Sequence, residues 1–273
     1  MSWIDLLPFR LGTTSYIIPD DILPNARWLA GRVRDIELVL FELDDGLSNL
    51  PAPQVIDELL VLASTYDLSF TVHLPLDLRL GEEGEPQHVS LCKAQKAIGC
   101  TLPLQPKAYV LHLDGKEIRT GVSAGELKNW QRQAVQALGI VAGWAGGIER
   151  LAVENLEGYP LDFLDAIFEQ SGVSFCVDIG HLWLDNHDPL LFLERWLSRT
   201  RVIHLHGQAE RDHRSLSFVP SHKLDAVLKM LLSAEYGGVV TIEVFSENDF
   251  RLSMDALYAS FERLQTSGRV KGN

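Results

Sequence analysis

Eight short runs of aliphatic and β-branched residues, spread along the whole chain, limit its possible folds more than any other feature. They occupy residues 10–17, 36–43, 68–74, 108–113, 150–155, 173–179, 201–206 and 239–245. Most are near-continuous in apolar side chains rather than alternating, the pattern of parallel strands covered on both faces. Segments with helical period lie between them. Ser123 and Glu126 are spaced as a capping box ahead of Leu127, Trp130, Ala134 and Leu138, which share one helical face. Asn248 or Asp249 is expected to cap a last helix carrying Phe250, Met254, Leu257, Phe261 and Leu264. Further helices are expected over 21–31, 54–66, 87–98, 161–170, 189–198 and 222–235, and the polar stretch 81–86 reads as a surface loop. Strict alternation at this count closes most naturally into an α/β fold, a single (β/α)8 TIM barrel spanning residues 1–273. An open doubly wound sheet is the alternative, but Gly12-Thr-Thr-Ser15 stands where that fold carries its glycine-rich phosphate loop.

A barrel of this kind keeps its chemistry at the C-terminal ends of its strands. Here the third run closes on His73, the fourth on His112 and the fifth on Glu154. The sixth ends in Asp178-Ile-Gly-His181, the seventh in His204-Leu-His206 and the eighth on Glu243. An imidazole or carboxylate emerging from an apolar run is costly to bury without partners. Any one of these residues alone reads most simply as a hydrogen-bonded core or rim group. Six successive strands that deliver N or O donors to one mouth call for a common explanation. Imidazoles mixed with carboxylates, and no cysteine, suit divalent metal ions, with Zn²⁺ or Mn²⁺ foremost. A carboxylate between histidines can bridge two ions, so two or more per chain are expected. Glu154 is the candidate bridge, and Glu243 is either a ligand or the group that orients an attacking water. Glu42, Asp114, His206 and Asp212 are expected behind the ligands or facing substrate. His88, His187 and His222 fall in or beside helices and read as solvated or capping residues.

Charge and composition exclude several other classes. The chain has 24 Lys+Arg against 37 Asp+Glu, a net charge of −13, which repels nucleic-acid backbones. Part of that excess is the candidate ligand set itself. The opening residues show no basic region followed by an apolar stretch, and no run nears the ~18 apolar residues of a membrane span. A cytoplasmic protein is therefore expected, with Cys92, Cys100 and Cys176 as free thiols. No Gly-x-Ser-x-Gly elbow, Walker loop or HExxH helix is present, so serine-nucleophile and P-loop chemistry have no basis here.

The order of these donors, with Asp178-x-x-His181 after the sixth run, resembles the xylose-isomerase-like barrel superfamily, which includes endonuclease IV, over essentially the whole chain. The resemblance implies that His73, His112, Glu154, Asp178, His181, His204 and Glu243 are metal ligands. In endonuclease IV a loop after strand seven adds an Asp-x-His pair. The corresponding Arg211-Asp212-His213-Arg214 has Asp and His adjacent, so His213 matches a ligand while Asp212 departs from the spacing. Longer words resemble the cobamide-remodelling phosphodiesterases. They include Phe9-Arg-Leu-Gly-Thr-Thr-Ser-Tyr16, Thr71-Val-His-Leu-Pro-Leu-Asp77, Leu111-His-Leu-Asp-Gly115, Val177-Asp-Ile-Gly-His-Leu182 and Glu243-Val-Phe-Ser246. That resemblance implies hydrolysis of the phosphodiester in the nucleotide loop of a cobamide, a vitamin B12-type corrinoid, so that its lower ligand can be exchanged. A corrinoid needs a broad apolar mouth, which Tyr16, Trp183 and Phe218 are expected to help line. The alternatives are a sugar or sugar-phosphate isomerase or epimerase on a related barrel, and a non-catalytic metal or corrinoid carrier. An abasic-site endonuclease fits so acidic a chain poorly.

Overall fold

The structure, a computed structural model, describes residues 2–43 and 46–270. Its strands are β1 (Arg10–Thr14), β2 (Asp35–Val39), β3 (Ser69–His73), β4 (Tyr109–Leu111), β5 (Leu151–Glu154), β6 (Ser174–Asp178), β7 (Thr200–Leu205) and β8 (Val239–Ile242). All neighbours pair in parallel, and β1 closes on β8 with Arg10 opposite Val239. The result is the expected closed eight-stranded barrel. The helices are α1 (Ile22–Leu29), α2 (Pro53–Tyr66), α3 (Val89–Thr101), α4 (Ala124–Ala145), α5 (Asp165–Ser171), α6 (Ile179–Leu184), α7 (Pro189–Trp196), α8 (Ser221–Ser233) and α9 (Glu247–Val270).

Local chemistry accounts for most boundaries. Ser123 Oγ accepts from the Glu126 N–H, and the Glu126 carboxylate takes the Ser123 N–H, so the expected capping box opens α4. His88 caps α3, its ring accepting from the Ser90 N–H at 3.2 Å. Three expectations need correction. Ser246 rather than Asn248 or Asp249 sits before α9, and its hydroxyl accepts from the Asp249 N–H at 3.1 Å. The helix expected from 161 begins only at Asp165, because the preceding turn folds Phe163 inward over Gly115. Ile179, placed in the sixth strand run, instead opens the short helix α6. That helix forms because the Asp178 carboxylate accepts from the His181 N–H at 2.7 Å.

The apolar side chains divide into two layers. The larger lies between strands and helices. The smaller, made of Ala108, Val110, Ala152, Cys176, Val202 and Val239, fills the barrel interior. Phe175 belongs to the outer layer and is 1% exposed. It stacks on Phe168, with Trp196 and Phe192 at centroid distances of 4.8 and 5.7 Å. Phe175→Ala is expected to cost about 3–5 kcal/mol, because the rings around it cannot collapse into the space. Denaturant unfolding measures this; a loss below about 1 kcal/mol would show that the layer repacks freely.

Candidate metal centre

Side chains alternate between the two faces of a strand, so residues two apart share the barrel interior. Each strand from β3 onward uses this parity in the same way. Small or apolar residues sit low in the interior, and a donor lies two positions further on. The pairs are Thr71 and His73, Val110 and His112, Ala152 and Glu154, Cys176 and Asp178, Val202 and His204, and Thr241 and Glu243. The interior layer is thus a floor beneath a ring of imidazoles and carboxylates.

The ring resolves into overlapping groups whose ligand atoms lie within 4.8 Å of one another: His73, His112 and Glu154; Glu154, Asp178, His204 and Glu243; and His181, His206, Asp212 and His213. Glu154 joins the first two. Its Oε2 lies 3.4 Å from His73 Nε2, 3.3 Å from His112 Nε2 and 3.5 Å from His204 Nδ1. Asp178 and Glu243 connect the second group to the third. His206 Nε2 is 3.1 Å from Asp178, and His213 Nε2 is 3.3 Å from Glu243. Asp212 lies 3.1 Å from His206 and 3.6 Å from His213. His213 reaches the group from a loop residue with φ of 53°, left-handed backbone that is sterically unfavourable for any residue but glycine. Cys176 lies beside Glu154 and His204, but burial pushes its thiol well up, which disfavours the thiolate form.

Most of the imidazoles are aimed by a bond to the ring nitrogen that faces away from the ring of donors. Glu37 Oε2 holds His204 Nε2 at 2.9 Å, Asp77 holds His112 Nδ1 at 3.1 Å, and the Leu74 carbonyl holds His73 Nδ1 at 3.1 Å. The Asn155 carbonyl takes His181 Nδ1 at 3.0 Å. Such bonds set tautomer and ring direction in metal sites. The facing atoms supply the test of fit. His204 Nδ1 and Glu243 Oε2 lie 3.1 Å apart, both buried, and neither has a hydrogen-bond partner. Two buried orphaned atoms are costly unless a third group lies between them, and an N/O set of this composition fits a divalent cation.

With protons as the only cations, the carboxylates hold them on the imidazoles. Burial alone would lower His112, but Glu154 and Asp77 outweigh it and push the imidazole up to about 10. Burial likewise opposes the rise of His206, which Asp178 and Asp212 carry to about 11. Asp212, which burial would raise, is held at about 2 by His206 and the His213 N–H. Glu154 and Glu243 are well below the usual carboxylate range despite their burial, because His204 and further imidazoles surround them.

Residues 33–265 match the family described as xylose isomerase-like TIM barrel. The chain belongs to that family. Among solved structures, a D-tagatose 3-epimerase-like protein superposes with a TM-score of 0.75 at 18% identity, over 95% of this chain and 99% of that one. Endonuclease IV from Thermus thermophilus gives 0.67 at 17% identity, over 93% and 99%. The 3-keto-D-glucoside 4-epimerase from E. coli gives 0.66 at 15% identity, also over 93% and 99%. No curated protein matches the sequence.

In this xylose isomerase-like barrel, His73, His112, Glu154, Asp178, His181, His204, His206, Asp212, His213 and Glu243 come together. Several other expected residues do not. Glu42 turns to Lys96, and its carbonyl accepts from Lys93. Asp114 pairs with Arg79 at 3.3 Å and lines a separate surface cleft with Trp130. The Tyr16 hydroxyl accepts from Asn49 Nδ2 at 2.7 Å, which ties it to the loop after β2. Trp183 and Phe218 line a small pocket behind His206. Glu37, Asp77 and Glu157 went unanticipated, the last standing 3.4 Å from His181. Above the donors opens a cavity of about 510 Å³, whose wall includes Val39, Lys116, Arg119, Tyr159 and Phe245. Among the described residues, no helix is long and apolar enough to cross a membrane.

Proposed function

We propose that this member of the xylose isomerase-like family is a metal-dependent phosphodiesterase that hydrolyses the nucleotide-loop phosphodiester of a cobamide, with two or more Zn²⁺ or Mn²⁺ ions per chain. The observation that carries the reading is the third donor group, His181, His206, Asp212 and His213, lying against the second rather than apart from it. One ion polarising a sugar carbonyl needs only a single group. Divalent ions in such a site supply Lewis acidity and a hydroxide nucleophile near neutral pH. The chain's own residues do the rest. His73, His112, Asp178, His181, His204, His206, Asp212 and His213 hold the ions, Glu154 spans two groups, and Glu243 stands between His204 and His213, where it can orient water.

The surroundings favour a large, partly apolar substrate. Phe41, Leu43 and Leu47 after β2, Leu76 after β3, Leu161 after β5 and Phe245 after β8 are all exposed at the catalytic end. Apolar side chains exposed on several of these loops suit the alkylated edge of a corrin better than a sugar. The net charge of −13 disfavours duplex DNA. The second reading, a sugar epimerase, has in its favour that two of the structures above are of epimerase type.

Metal-loaded protein incubated with an adenosylated cobamide, with products separated by chromatography and mass detection, tests the assignment. Parallel incubations hold an abasic-site duplex and a panel of ketoses and their phosphates. The expected result is a shortened corrinoid plus a nucleoside or nucleotide fragment. An intact cobamide beside an epimerised sugar would transfer the assignment to the second reading, and no turnover of any kind would favour a carrier.

A further inference from the structure

The wall of the metal cavity holds two cations that the donor chemistry does not use. Lys116 and Arg119 lie on the loop between β4 and α4. In a closed barrel of eight strands this loop stands across the mouth from the end of β8, which Glu243 directly follows. Among the described residues, neither cation makes an ion pair or a side-chain hydrogen bond. Carboxylates line the same cavity, but imidazoles take them: Asp77 by His112, Glu157 by His181 and Asp212 by His206.

Arg119 is nevertheless held in place. Its guanidinium lies 5.2 Å from the centre of the Tyr159 ring. Tyr159 packs edge-on against Phe163, and Phe163 against Trp130, at 5.1 and 4.7 Å. Trp130 Nε1 donates to the Asp114 carbonyl at 2.7 Å, which returns the ladder of rings to the base of the same loop. Two glycines allow this packing. A Cβ on Gly115 would come within 2.7 Å of Phe163, and one on Gly158, whose φ is +72°, within 3.3 Å of Arg119 Nη1. The loop closes its own turn through the Ile118 and Arg119 N–H groups, both donating to the Gly115 carbonyl at 2.9 Å. A pedestal of three rings that presents an uncommitted guanidinium to a cavity is a preorganised anion site. The planar fork matches two oxygens of a phosphoryl group, and a neighbouring lysine adds a movable charge.

We propose that Lys116 and Arg119 form a phosphoryl-oxyanion clamp, binding the charged oxygens of the substrate that face away from the imidazole–carboxylate donors. The choice of a phosphodiester as the bearer of those oxygens rests on the proposed function above. Recognition of the oxyanion itself does not. The clamp also answers a problem of charge, since an anionic substrate must enter a strongly acidic chain through this mouth.

Two measurements separate these ideas. Inorganic phosphate is titrated calorimetrically into metal-loaded wild type, Arg119→Ala, Arg119→Lys and the double variant Lys116→Ala with Arg119→Ala, with metal content measured for each. Loss of charged hydrogen bonds is expected to weaken phosphate about tenfold or more in Arg119→Ala and further in the double variant, with partial recovery in Arg119→Lys. Tyr159→Leu, which removes the platform but no charge, is expected to weaken it by a smaller factor. Rates with bis(p-nitrophenyl) phosphate are expected to show a matching rise in KM, with kcat within about threefold of wild type. Undiminished phosphate affinity in a double variant that retains its metal would overturn the clamp. If wild type cleaves no phosphodiester, the proposed function falls, while the phosphate titration still decides the clamp.

Discussion

Glu154→Gln is expected to lower turnover by about a thousandfold or more, the several kcal/mol that metal-centred charge stabilisation contributes. The swap keeps size and shape but removes the charge at a carboxylate within 3.5 Å of His73, His112 and His204. An amide also offers N–H₂ where an acceptor is needed, so at least one facing imidazole nitrogen loses its partner. The barrel itself should survive, because Glu154 stands above the interior floor rather than in the layer between strands and helices. Steady-state rates, metal content by elemental analysis and thermal unfolding read the three parts separately. Near-normal turnover with full metal content would remove Glu154 from the bridging position.

Stripping the ions with a chelator is expected to abolish activity and lower the unfolding temperature, both restored by Zn²⁺ or Mn²⁺. A free ion at a thousand times its Kd stabilises the folded state by about 4 kcal/mol. The gain depends on pH, because ions and protons compete for the same nitrogens. His112 and His206, raised to about 10 and 11, bind protons more tightly in the folded chain than at their ordinary 6.5. Their pairs stabilise the stripped protein fully below 6.5, and that contribution is lost as pH rises through 10 to 11. Asp212, lowered to about 2, contributes above its ordinary 3.8 and loses that contribution as pH falls through 2. For these three groups the stripped protein is most stable between 3.8 and 6.5, and the increment from added metal is larger at pH 8 than at pH 6. An increment independent of pH would mean that the ions bind elsewhere.

Most of this architecture was visible in the order of residues. Near-continuous apolar runs separated by amphipathic segments specify a covered parallel sheet, and eight of them specify closure. The donors at strand ends stood out because His73, Glu154 and His204 each interrupt an apolar run. Glu37 was missed for the converse reason. It lies inside β2, in Asp35-Ile-Glu-Leu-Val39, rather than at the strand's end where the other donors stand. Two carboxylates at i and i+2 in so apolar a strand were the available signal, since parity puts both on the interior face. Glu42, Asp114 and Tyr16, expected behind the ligands or facing substrate, stand outside the donor cluster. They lie in loops, and loop side chains are directed by whichever partner is near, here Lys96, Arg79 and Asn49. Sequence spacing carries no information about such partners. The short helix α6 was hidden because the carboxylate that ends β6 is also the cap that starts it.

The interior floor separates two kinds of change that a protein of this size must tolerate. Substitutions in the layer between strands and helices alter stability without reaching the donors, and donors can be exchanged above the floor without opening the core. The arrangement has one weakness, since it depends on odd and even. Inserting or deleting a single residue within any strand from β3 to β8 turns the donor beyond it toward the helices and puts an aliphatic side chain in its place. A change in length that keeps the donors facing inward must therefore fall in the loops rather than within a strand.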